Sequence, residues 1–261
     1  MANMEEAIEN IEFLAGSKTR VRILDLLSQH KELDKQELRD QIDASRTTVQ
    51  RNLDTLVDQG WIQNTNRSYE IDTCGDLVAE KFLELTETIE IESRLQPFLK
   101  WVDRPEFDLD LHLLADAELL LPETNNPYAM INRHAQLLEQ TDDHRLVLPL
   151  VGLHPYEAGH RKIVNDGGQA DSVVTPGVAD TLQSNPDYAP LTEEMKATGR
   201  YNLSISEKEI PYFIGIFDRT VQIGVDEDGE PRAMLETDSE QVVEWAKGKH
   251  ESYKEQSETV F

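Results

Sequence analysis

The segment 45–58, SRTTVQRNLDTLVD, combines hydrogen-bonding side chains with a helical spacing of apolar ones. On a helical wheel it turns Val49, Leu53 and Leu56 inward. The opposite face and its flanks then present Arg46, Thr47, Thr48, Gln50 and Arg51. Arginine can bond guanine bidentately, glutamine can bond adenine, and threonine can contact phosphate or the thymine methyl. The segment therefore predicts a recognition helix for the major groove of DNA.

The distribution of carboxylates is an independent observation. The segments 13–24, 44–53 and 59–69 contain no Asp or Glu, although the chain has 51 acidic residues and a net charge of −26. Affinity for a polyphosphate comes largely from Lys and Arg. We therefore predict that these segments contact DNA through Lys18, Arg20, Arg22, Ser45, Arg46, Thr47, Thr48, Gln50, Arg51, Asn66 and Arg67.

Capping residues and apolar spacing predict the elements that position these side chains. Ser17 can cap a helix over 18–29, Asp34 a short second helix, and Ser45 a third helix that ends before Gly60. Residues 61–71 surround the polar turn 64–67 and predict a β-hairpin. Three helices and a hairpin in this order predict a winged helix-turn-helix over residues 1–75. The alternative use of such a domain is protein contact alone, with an incidentally neutral face.

A long helical pattern follows the hairpin, and we assign residues 76–121 to a helical linker. Its apolar stripe has spacings of four, three and four and consists of Val78, Phe82, Leu85 and Ile89. Pro97 is expected to interrupt the helix near its end. Such a stripe can join two subunits or pack on its own chain. We favour a homodimer because a two-fold protein matches paired DNA half-sites.

Residues 122–261 alternate short apolar runs with helical stretches, which predicts an α/β domain and an α+β fold class for the whole chain. The expected strands are 145–151, 172–175, 201–204, 212–217 and 220–225, and the expected helices lie near 128–140, 155–165, 178–198 and 239–255. Residues near the strand ends and breaks could bind a ligand: Arg133, His134, Pro155, Tyr156, Thr175 and Tyr212. Ordinary surface or core roles are the alternative for each of them.

Neither a catalytic site nor a metal site is expected. His160, Lys162 and Asp166 come close to the phospholipase D-type motif, but three residues rather than four separate the lysine from the aspartate, and no second copy occurs. We interpret this segment as an exposed helix end. The histidines at 112, 134, 144 and 154 are too scattered for a recognisable metal site. The single cysteine, Cys74, excludes an intramolecular disulfide and a thiolate cluster. We therefore expect no cofactor and no enzyme.

Acidity is concentrated in the second part of the chain. Residues 1–75 have nine basic and fourteen acidic side chains, a net charge of −5, and the rest have sixteen and thirty-seven, a net charge of −21. This composition resembles that of haloarchaeal proteins, in which molar salt screens the repulsion between carboxylates. No apolar run approaches the roughly 18 residues of a membrane span, and the first residues lack a signal-peptide pattern. We therefore expect a soluble, cytoplasmic protein.

Three segments together resemble one family. They are LAGSKTRVRILDLL, SRTTVQRNLDTLVDQGWI and IFDRTVQIGVDEDGEPRAMLETDSEQVVEWAKGKHESYKEQSE. They look like archaeal winged-helix regulators that carry the middle domain named after the methanogenesis regulatory protein. The resemblance implies sequence-specific transcription control, usually by a dimer, with an effector or partner domain and no catalytic residues. Two functions stay open: a regulator that responds to a small molecule, and a ligand-free module that tethers DNA to another protein.

Overall fold

The structure, a computed structural model, describes residues 2–102 and 105–261. Its contacts separate two units, Met1–Ile89 and Glu90–Phe261. Helices and a small sheet make up the described part of the first unit, and helices around a large sheet make up that of the second. The predicted α+β fold class is confirmed.

The first unit is a winged helix-turn-helix. In chain order its elements are α1 (Ala2–Ala15), α2 (Lys18–His30), β1 (Glu32–Asp34), α3 (Lys35–Gln41), α4 (Arg46–Asp58), β2 (Ile62–Thr65) and β3 (Ser68–Ile71). The strands form an antiparallel sheet in the order β1-β3-β2, and β2 and β3 are the wing. The predicted winged helix is confirmed, whereas α1 and β1 were not expected from the sequence.

The expected capping residues begin the three core helices. The hydroxyl oxygen of Ser17 accepts a hydrogen bond from the Arg20 amide at 3.4 Å, and that of Ser45 accepts one from the Thr48 amide at 3.1 Å. Asp34 forms a complete capping box at the start of α3. These bonds satisfy amides that have no partner within the helix. The helices then bury an apolar core that includes Leu24, Leu27, Leu38, Val49, Leu53 and Leu56.

Helix α5 (Thr73–Leu99) begins directly after the wing, where the chain passes very close to β2. A Cβ atom on Gly75 would lie 2.0 Å from the carbonyl oxygen of Trp61. The Asp72 amide donates to that same oxygen at 3.1 Å. Glycine at this position therefore lets the first turn of α5 pack against the base of the wing.

The predicted interruption of this helix at Pro97 is wrong, because α5 continues to Leu99. Proline removes one helical hydrogen bond. Leu95 and Phe98, on either side of it, are completely buried in the core of the second unit. We attribute the continuation of the helix to this burial.

The second unit contains, among the described residues, an eight-stranded sheet in the order β11-β7-β6-β5-β8-β9-β10-β4. Its strands are β4 (Glu118–Leu120), β5 (Asp143–Leu148), β6 (Gln169–Val174), β7 (Tyr201–Ser206), β8 (Phe213–Phe217), β9 (Thr220–Glu227), β10 (Glu230–Thr237) and β11 (Ser257–Thr259). Its helices are α6 (Ala129–Gln140), α7 (Leu153–Asn165), α8 (Pro176–Ser184), α9 (Ala189–Ala197) and α10 (Glu240–Glu255), besides a 3-10 turn at Leu111–Leu114. Strands β5, β6 and β7 are parallel, and the other pairings are antiparallel.

Two expectations for this unit need correction. The helix expected over 178–198 is divided into α8 and α9, because Pro186 disfavours helical backbone at Asn185, which is extended here. Strands β4, β10 and β11 were not predicted. β10 follows a tight turn in which Asp228 and Gly229 both have positive φ, at 54° and 80°, as a two-residue hairpin turn requires.

The sheet separates two cores, because successive residues of a strand point to opposite faces. On β5, Val147 belongs to a cluster with Val242 of α10, whereas Leu146 and Leu148 belong to a second cluster with Leu138 of α6. The face under α6 and α7 contains the cavity described below. Within the described ranges, no helix has the length and apolar character needed to cross a membrane.

Candidate nucleic-acid interface and ligand cavity

Helix α4 presents the predicted reading face to solvent. Arg46, Thr47 and Arg51 are exposed, whereas Val49 and Leu53 on the opposite side are completely buried. Ser45 and Thr48 belong to the N-terminal cap, in which their hydroxyl oxygens lie 2.9 Å apart. The segment thus folds into a capped helix with exposed cations and hydroxyls, as a groove-reading helix requires.

Gln50 differs from the other predicted base-reading residues because its amide is engaged within the protein. Its Nε2 donates to Asp54 at 2.6 Å and lies 3.4 Å from the hydroxyl of Tyr69 on the wing. Its Oε1 is buried and has no hydrogen-bond partner among the described residues. Gln50 therefore joins α4 to the wing, and a role in reading adenine would need this arrangement to change.

Two arginines from different helices lie close to each other on this face. Burial and then the charge of Arg51 lower the pKa of Arg20 from its ordinary value. The guanidinium of Arg20 stacks on Phe13 at the end of α1, and Phe13 makes an edge contact with Trp61, with ring centroids 5.9 Å apart. Phe13 thereby positions the α2 arginine next to the recognition helix.

A buried asparagine fixes the spacing between α2 and α4. The Ser17 hydroxyl donates to Asn52 Oδ1 at 3.2 Å, and Asn52 Nδ2 donates to the carbonyl oxygen of Thr48 at 2.8 Å. Sequence reasoning missed Asn52 and Phe13. The signal for Asn52 was a polar residue on the inward face of an amphipathic helix.

The other predicted cations differ in their ion pairing. Arg22 pairs with Asp25 at 2.5 Å, whereas Lys18 and Arg46 are exposed and form no ion pair with a described carboxylate. At the tip of the wing, Asn66 adopts a φ of 65° and Arg67 is exposed. The wing therefore presents its arginine at a tight turn, where it forms no ion pair with a described carboxylate.

The predicted dimer stripe on α5 divides into two faces. Val78 and Phe82 pack against the winged-helix core, whereas Leu85 and Ile89 are 48% and 53% exposed. The exposed large apolar side chains of the first unit lie on two helices, with Met4, Ile8 and Ile11 on α1 and Leu77, Leu85 and Ile89 on α5. These two groups together are here called the α1/α5 surface.

The second unit contains a largely apolar cavity of about 250 Å³ between the sheet and helices α6 and α7. Three of the predicted ligand residues line it, namely His134, Pro155 and Tyr156. Arg133 stands beside His134 on α6 and forms a bidentate hydrogen-bonded pair with Glu236. The structure thus brings four of the six predicted residues to one region.

A chain of polar side chains fixes one wall of the cavity. Glu236 accepts from Gln222 Nε2 at 2.8 Å, and Gln222 Oε1 lies 2.9 Å from His134 Nδ1. Burial lowers the pKa of His134 to about 4, although the hydrogen bond to Gln222 opposes this shift. His134 is therefore neutral near pH 7.

A second set of polar groups lies on the opposite wall. The Tyr156 hydroxyl is 2.6 Å from Thr192 Oγ1, which donates to the carbonyl oxygen of Leu182 at 2.9 Å. Tyr201 and Ser172 also line the cavity. Burial raises the pKa of both tyrosines, so both are neutral.

Thr175 and Tyr212 lie elsewhere. Thr175 caps α8 by accepting from the Val178 amide at 3.3 Å. Tyr212 packs with Phe107 and Trp245 in the core on the other face of the sheet, and its hydroxyl donates to the Glu106 carbonyl oxygen at 2.9 Å. Neither is among the residues that line the cavity.

Two protein-family models match successive parts of the sequence. The model of the HVO_A0261 N-terminal domain matches residues 8–94, and that of the methanogenesis regulatory protein FilR1, middle domain, matches residues 127–256. The chain belongs to the archaeal regulators that carry these two domains. The family resemblance seen in the sequence is confirmed, and no curated protein matches the sequence of this FilR1-type regulator.

Solved structures show weaker likenesses to the FilR1-type regulator. TrmBL2, an archaeal chromatin protein, is 16% identical, with 94% of each chain covered and a TM-score of 0.42. The phospholipase D family member Nuc from Salmonella typhimurium is 11% identical, with 55% of this chain and 97% of that chain covered and a TM-score of 0.42. NucT from Helicobacter pylori is 11% identical, with 55% and 98% covered and a TM-score of 0.39. Similarity at this level transfers no function to the FilR1-type regulator.

The residues of the near-miss catalytic motif have separate partners in the FilR1-type regulator. His160 Nε2 lies 2.7 Å from Glu194, and Lys162 pairs with Asp142 at 2.6 Å. Asp166 is the C-terminal cap of α7. Among the described residues, no three His, Cys, Asp or Glu side chains come together as metal ligands.

Proposed function

We propose that this regulator binds specific DNA sequences, with α4 in the major groove and the wing against the neighbouring backbone. Arg51 and Arg46 would contact base edges, and Thr47 and Thr48 would contact phosphate or thymine methyl groups. Lys18, Arg20 and Arg67 would contact phosphates. We place this activity in the cytoplasm.

The observation that supports this proposal is the ion pairing of the first unit. None of five predicted contact cations pairs with a described carboxylate: Lys18, Arg20, Arg46, Arg51 and Arg67. Residues 1–75 nevertheless contain fourteen acidic side chains. Cations kept apart from neighbouring carboxylates, with two guanidiniums close enough to repel, suit a polyanionic partner.

We further propose that the regulator is a homodimer that meets through the α1/α5 surface. The six exposed apolar residues of that surface lie on two helices of the same unit. Three exposed apolar side chains on one helix are more than the scattered single residues of an ordinary surface, and such groups favour association. A two-fold pair of winged helices would then read two DNA half-sites.

A small molecule bound in the cavity of the second unit would control this binding. The cavity is apolar with a few fixed polar groups, which is the usual composition of a small-molecule site. The second candidate, a ligand-free tether between DNA and another protein, would leave operator affinity independent of any molecule in the cavity.

The test begins with immunoprecipitation of the tagged protein and sequencing of the bound DNA. A shared motif should emerge, and duplexes containing it should bind the purified regulator more tightly than scrambled duplexes in fluorescence anisotropy at molar salt. Specific sites typically bind 10³-fold or more above nonspecific DNA. Equal affinity for motif and scrambled duplexes would contradict the proposal.

A further inference from the structure

The hydrogen bonds around the cavity in the second unit show which polar groups of its lining can donate to a ligand and which can only accept. Its polar lining includes His134, His144, Ser172, Tyr156, Tyr201 and Asp226, and the rest is mostly aliphatic and aromatic. Three of these groups, His134, Tyr156 and Asp226, offer a ligand acceptors only.

The tautomer of His134 follows from the chain of side chains behind it. Both oxygens of Glu236 accept from Arg133, and Gln222 directs its NH₂ group toward Glu236. Gln222 Oε1 must then accept from His134 Nδ1–H. Because the pKa of His134 is lowered to about 4, Nε2 has no hydrogen. His134 therefore offers the cavity an acceptor.

His144 on β5 follows the same logic. Its Nε2 lies 3.0 Å from the carbonyl oxygen of Thr141, which can only accept, so Nε2 bears the hydrogen. Burial lowers the pKa of His144, and its Nδ1 is therefore an unprotonated acceptor. This buried nitrogen has no hydrogen-bond partner among the described residues. His144 is completely buried, so this unpaired acceptor lies behind the cavity surface and adds no direct contact for a ligand.

The Tyr156 hydroxyl on the opposite wall also uses its hydrogen internally. Thr192 donates to a carbonyl oxygen, so it must accept from Tyr156. The direction of this pair is set by the carbonyl oxygen at its end, and the Tyr156 oxygen can offer a ligand only a lone pair.

The charged side chains at the cavity disfavour an anionic ligand. The carboxylate of Asp226 accepts from the Gly229 amide at 3.0 Å and forms no ion pair with a described cation. Arg133, the nearest predicted cation, is neutralised by Glu236. No lysine or arginine is among the described residues that line the cavity. An anion would therefore lose its hydration there without gaining a counter-charge.

We propose that this cavity binds a small, non-anionic organic molecule that has an apolar body and at least one hydrogen-bond donor, a hydroxyl or an amine. The apolar lining recognises the body, and the acceptors on both walls recognise the donor. The assignment rests on the proposed function, in which this cavity receives the effector. It excludes carboxylates and phosphates as ligands of this site.

The test compares three aromatic probes of similar size on the full-length protein at molar salt. Phenol has a donor, toluene has a methyl group in its place, and benzoate is an anion. Apolar burial alone favours toluene. We expect phenol to bind about threefold to tenfold more tightly than toluene, because only phenol pairs with the acceptors, and we expect no binding of benzoate in ligand-observed NMR titrations. Tighter binding of toluene, any binding of benzoate, or no binding of phenol would overturn the assignment.

Two variants locate the effect. His134→Leu should remove most of the preference for phenol over toluene while leaving toluene binding within about twofold. Tyr212→Phe removes a hydroxyl on the other face of the sheet and should leave the preference unchanged. If His134→Leu does not fold by circular dichroism, His134→Phe, which keeps an aromatic ring but has no ring nitrogen, replaces it. A preference that survives in the folded variant would contradict the role of His134.

The failure of this assignment is distinguishable from failure of the proposed function. Operator affinity is measured separately by fluorescence anisotropy, with and without phenol. Phenol binding that leaves operator affinity unchanged would support the ligand class and contradict control by a ligand. Specific operator binding without phenol binding would contradict the ligand class and leave the proposed DNA binding supported.

Discussion

The guanidinium carbon of Arg20 lies 3.9 Å from the centroid of the Phe13 ring. A cation over an aromatic face is attracted by about 0.5–1 kcal/mol at an exposed site. This contact joins the end of α1, an element that the sequence did not predict, to a cation of the proposed DNA face.

Phe13→Leu should therefore weaken operator binding about twofold to fivefold, since Arg20 loses the aromatic ring on which its guanidinium stacks. Arg20→Ala should weaken binding more, because the charge itself is removed. The double variant should bind like Arg20→Ala alone, as expected for residues that act through one another. Fluorescence anisotropy with an identified operator measures all three, and additive losses would contradict the positioning role of Phe13.

Arg51 and Arg67 should contribute differently to specificity. Arg51→Ala should cost about 1–3 kcal/mol at one base position and relax the preference there, whereas Arg67→Ala should weaken binding to all sequences alike. Arg22→Ala is the matched control, because Arg22 already pairs with Asp25. Affinities equal to the wild type for Arg51→Ala across single-base operator variants would remove this assignment.

The two faces of the α5 stripe should respond differently to charge. Glutamate at Leu85 and Ile89 together should give a folded monomer, because both side chains are exposed on the α1/α5 surface. Glutamate at Val78 and Phe82 should instead lower the melting temperature, because both pack on the core. Light scattering and circular dichroism separate these outcomes. An unchanged dimer mass for the first variant would place the interface elsewhere.

Salt should affect the full-length regulator less than its first unit. Counterion release weakens DNA binding as salt rises. Repulsion from the acidic residues after position 75, whose net charge is −21, falls at the same time. The Debye length decreases from about 10 Å at 0.1 M to about 3 Å at 1 M. Affinity of the full chain should thus fall less steeply than that of a 1–89 fragment, or even rise.

The fragment should end at residue 89 because Ala79 and Phe82 belong to the winged-helix core. Circular dichroism at each salt concentration confirms that both proteins stay folded during the comparison. Parallel plots of log affinity against log salt would show that the acidic second unit has no influence on the DNA face.

Acid should destabilise the fold before most carboxylates titrate. Burial lowers the pKa of His134 from 6.5 to about 4, and it also lowers that of His144 and His250. Below pH 6.5 the unfolded chain binds protons that the folded chain excludes, so the free energy of unfolding falls as pH falls. His134 alone accounts for about 3 kcal/mol between pH 6.5 and 4.

Urea unfolding at molar salt, measured from pH 7.5 to 4.5, tests this expectation. His134→Gln removes the titrating group but keeps a polar side chain, so its stability should vary less with pH. A pH dependence identical to that of the wild type would show that His134 does not take part.

Local signals made the first unit predictable. Ser17, Asp34 and Ser45 act on amides within three residues of themselves, so their caps follow from sequence alone. The hydrogen bond from Gln50 to Asp54 could also have been predicted, because Asp54 is four positions away on the same helix face. A carboxylate one turn after a predicted base-reading amide is a signal that sequence reasoning could have used.

The cavity was harder to predict because it depends on strand register. Gln222 and Glu236 are directly opposite each other on β9 and β10, and without β10 their pairing could not be foreseen. Tyr212 precedes β8 and Phe213 begins it, yet only Phe213 lines the cavity. A shift of one residue turns a side chain to the other face of a sheet, and composition does not determine that choice.

Gly75 limits how the sequence can change. Any side chain at this position would overlap the backbone of Trp61. No other amino acid can therefore replace Gly75 unless the wing moves. Exposed neighbours such as Cys74 and Leu77 are under no such restriction. Lineages that descend from one ancestor should therefore retain this glycine while the positions around it drift.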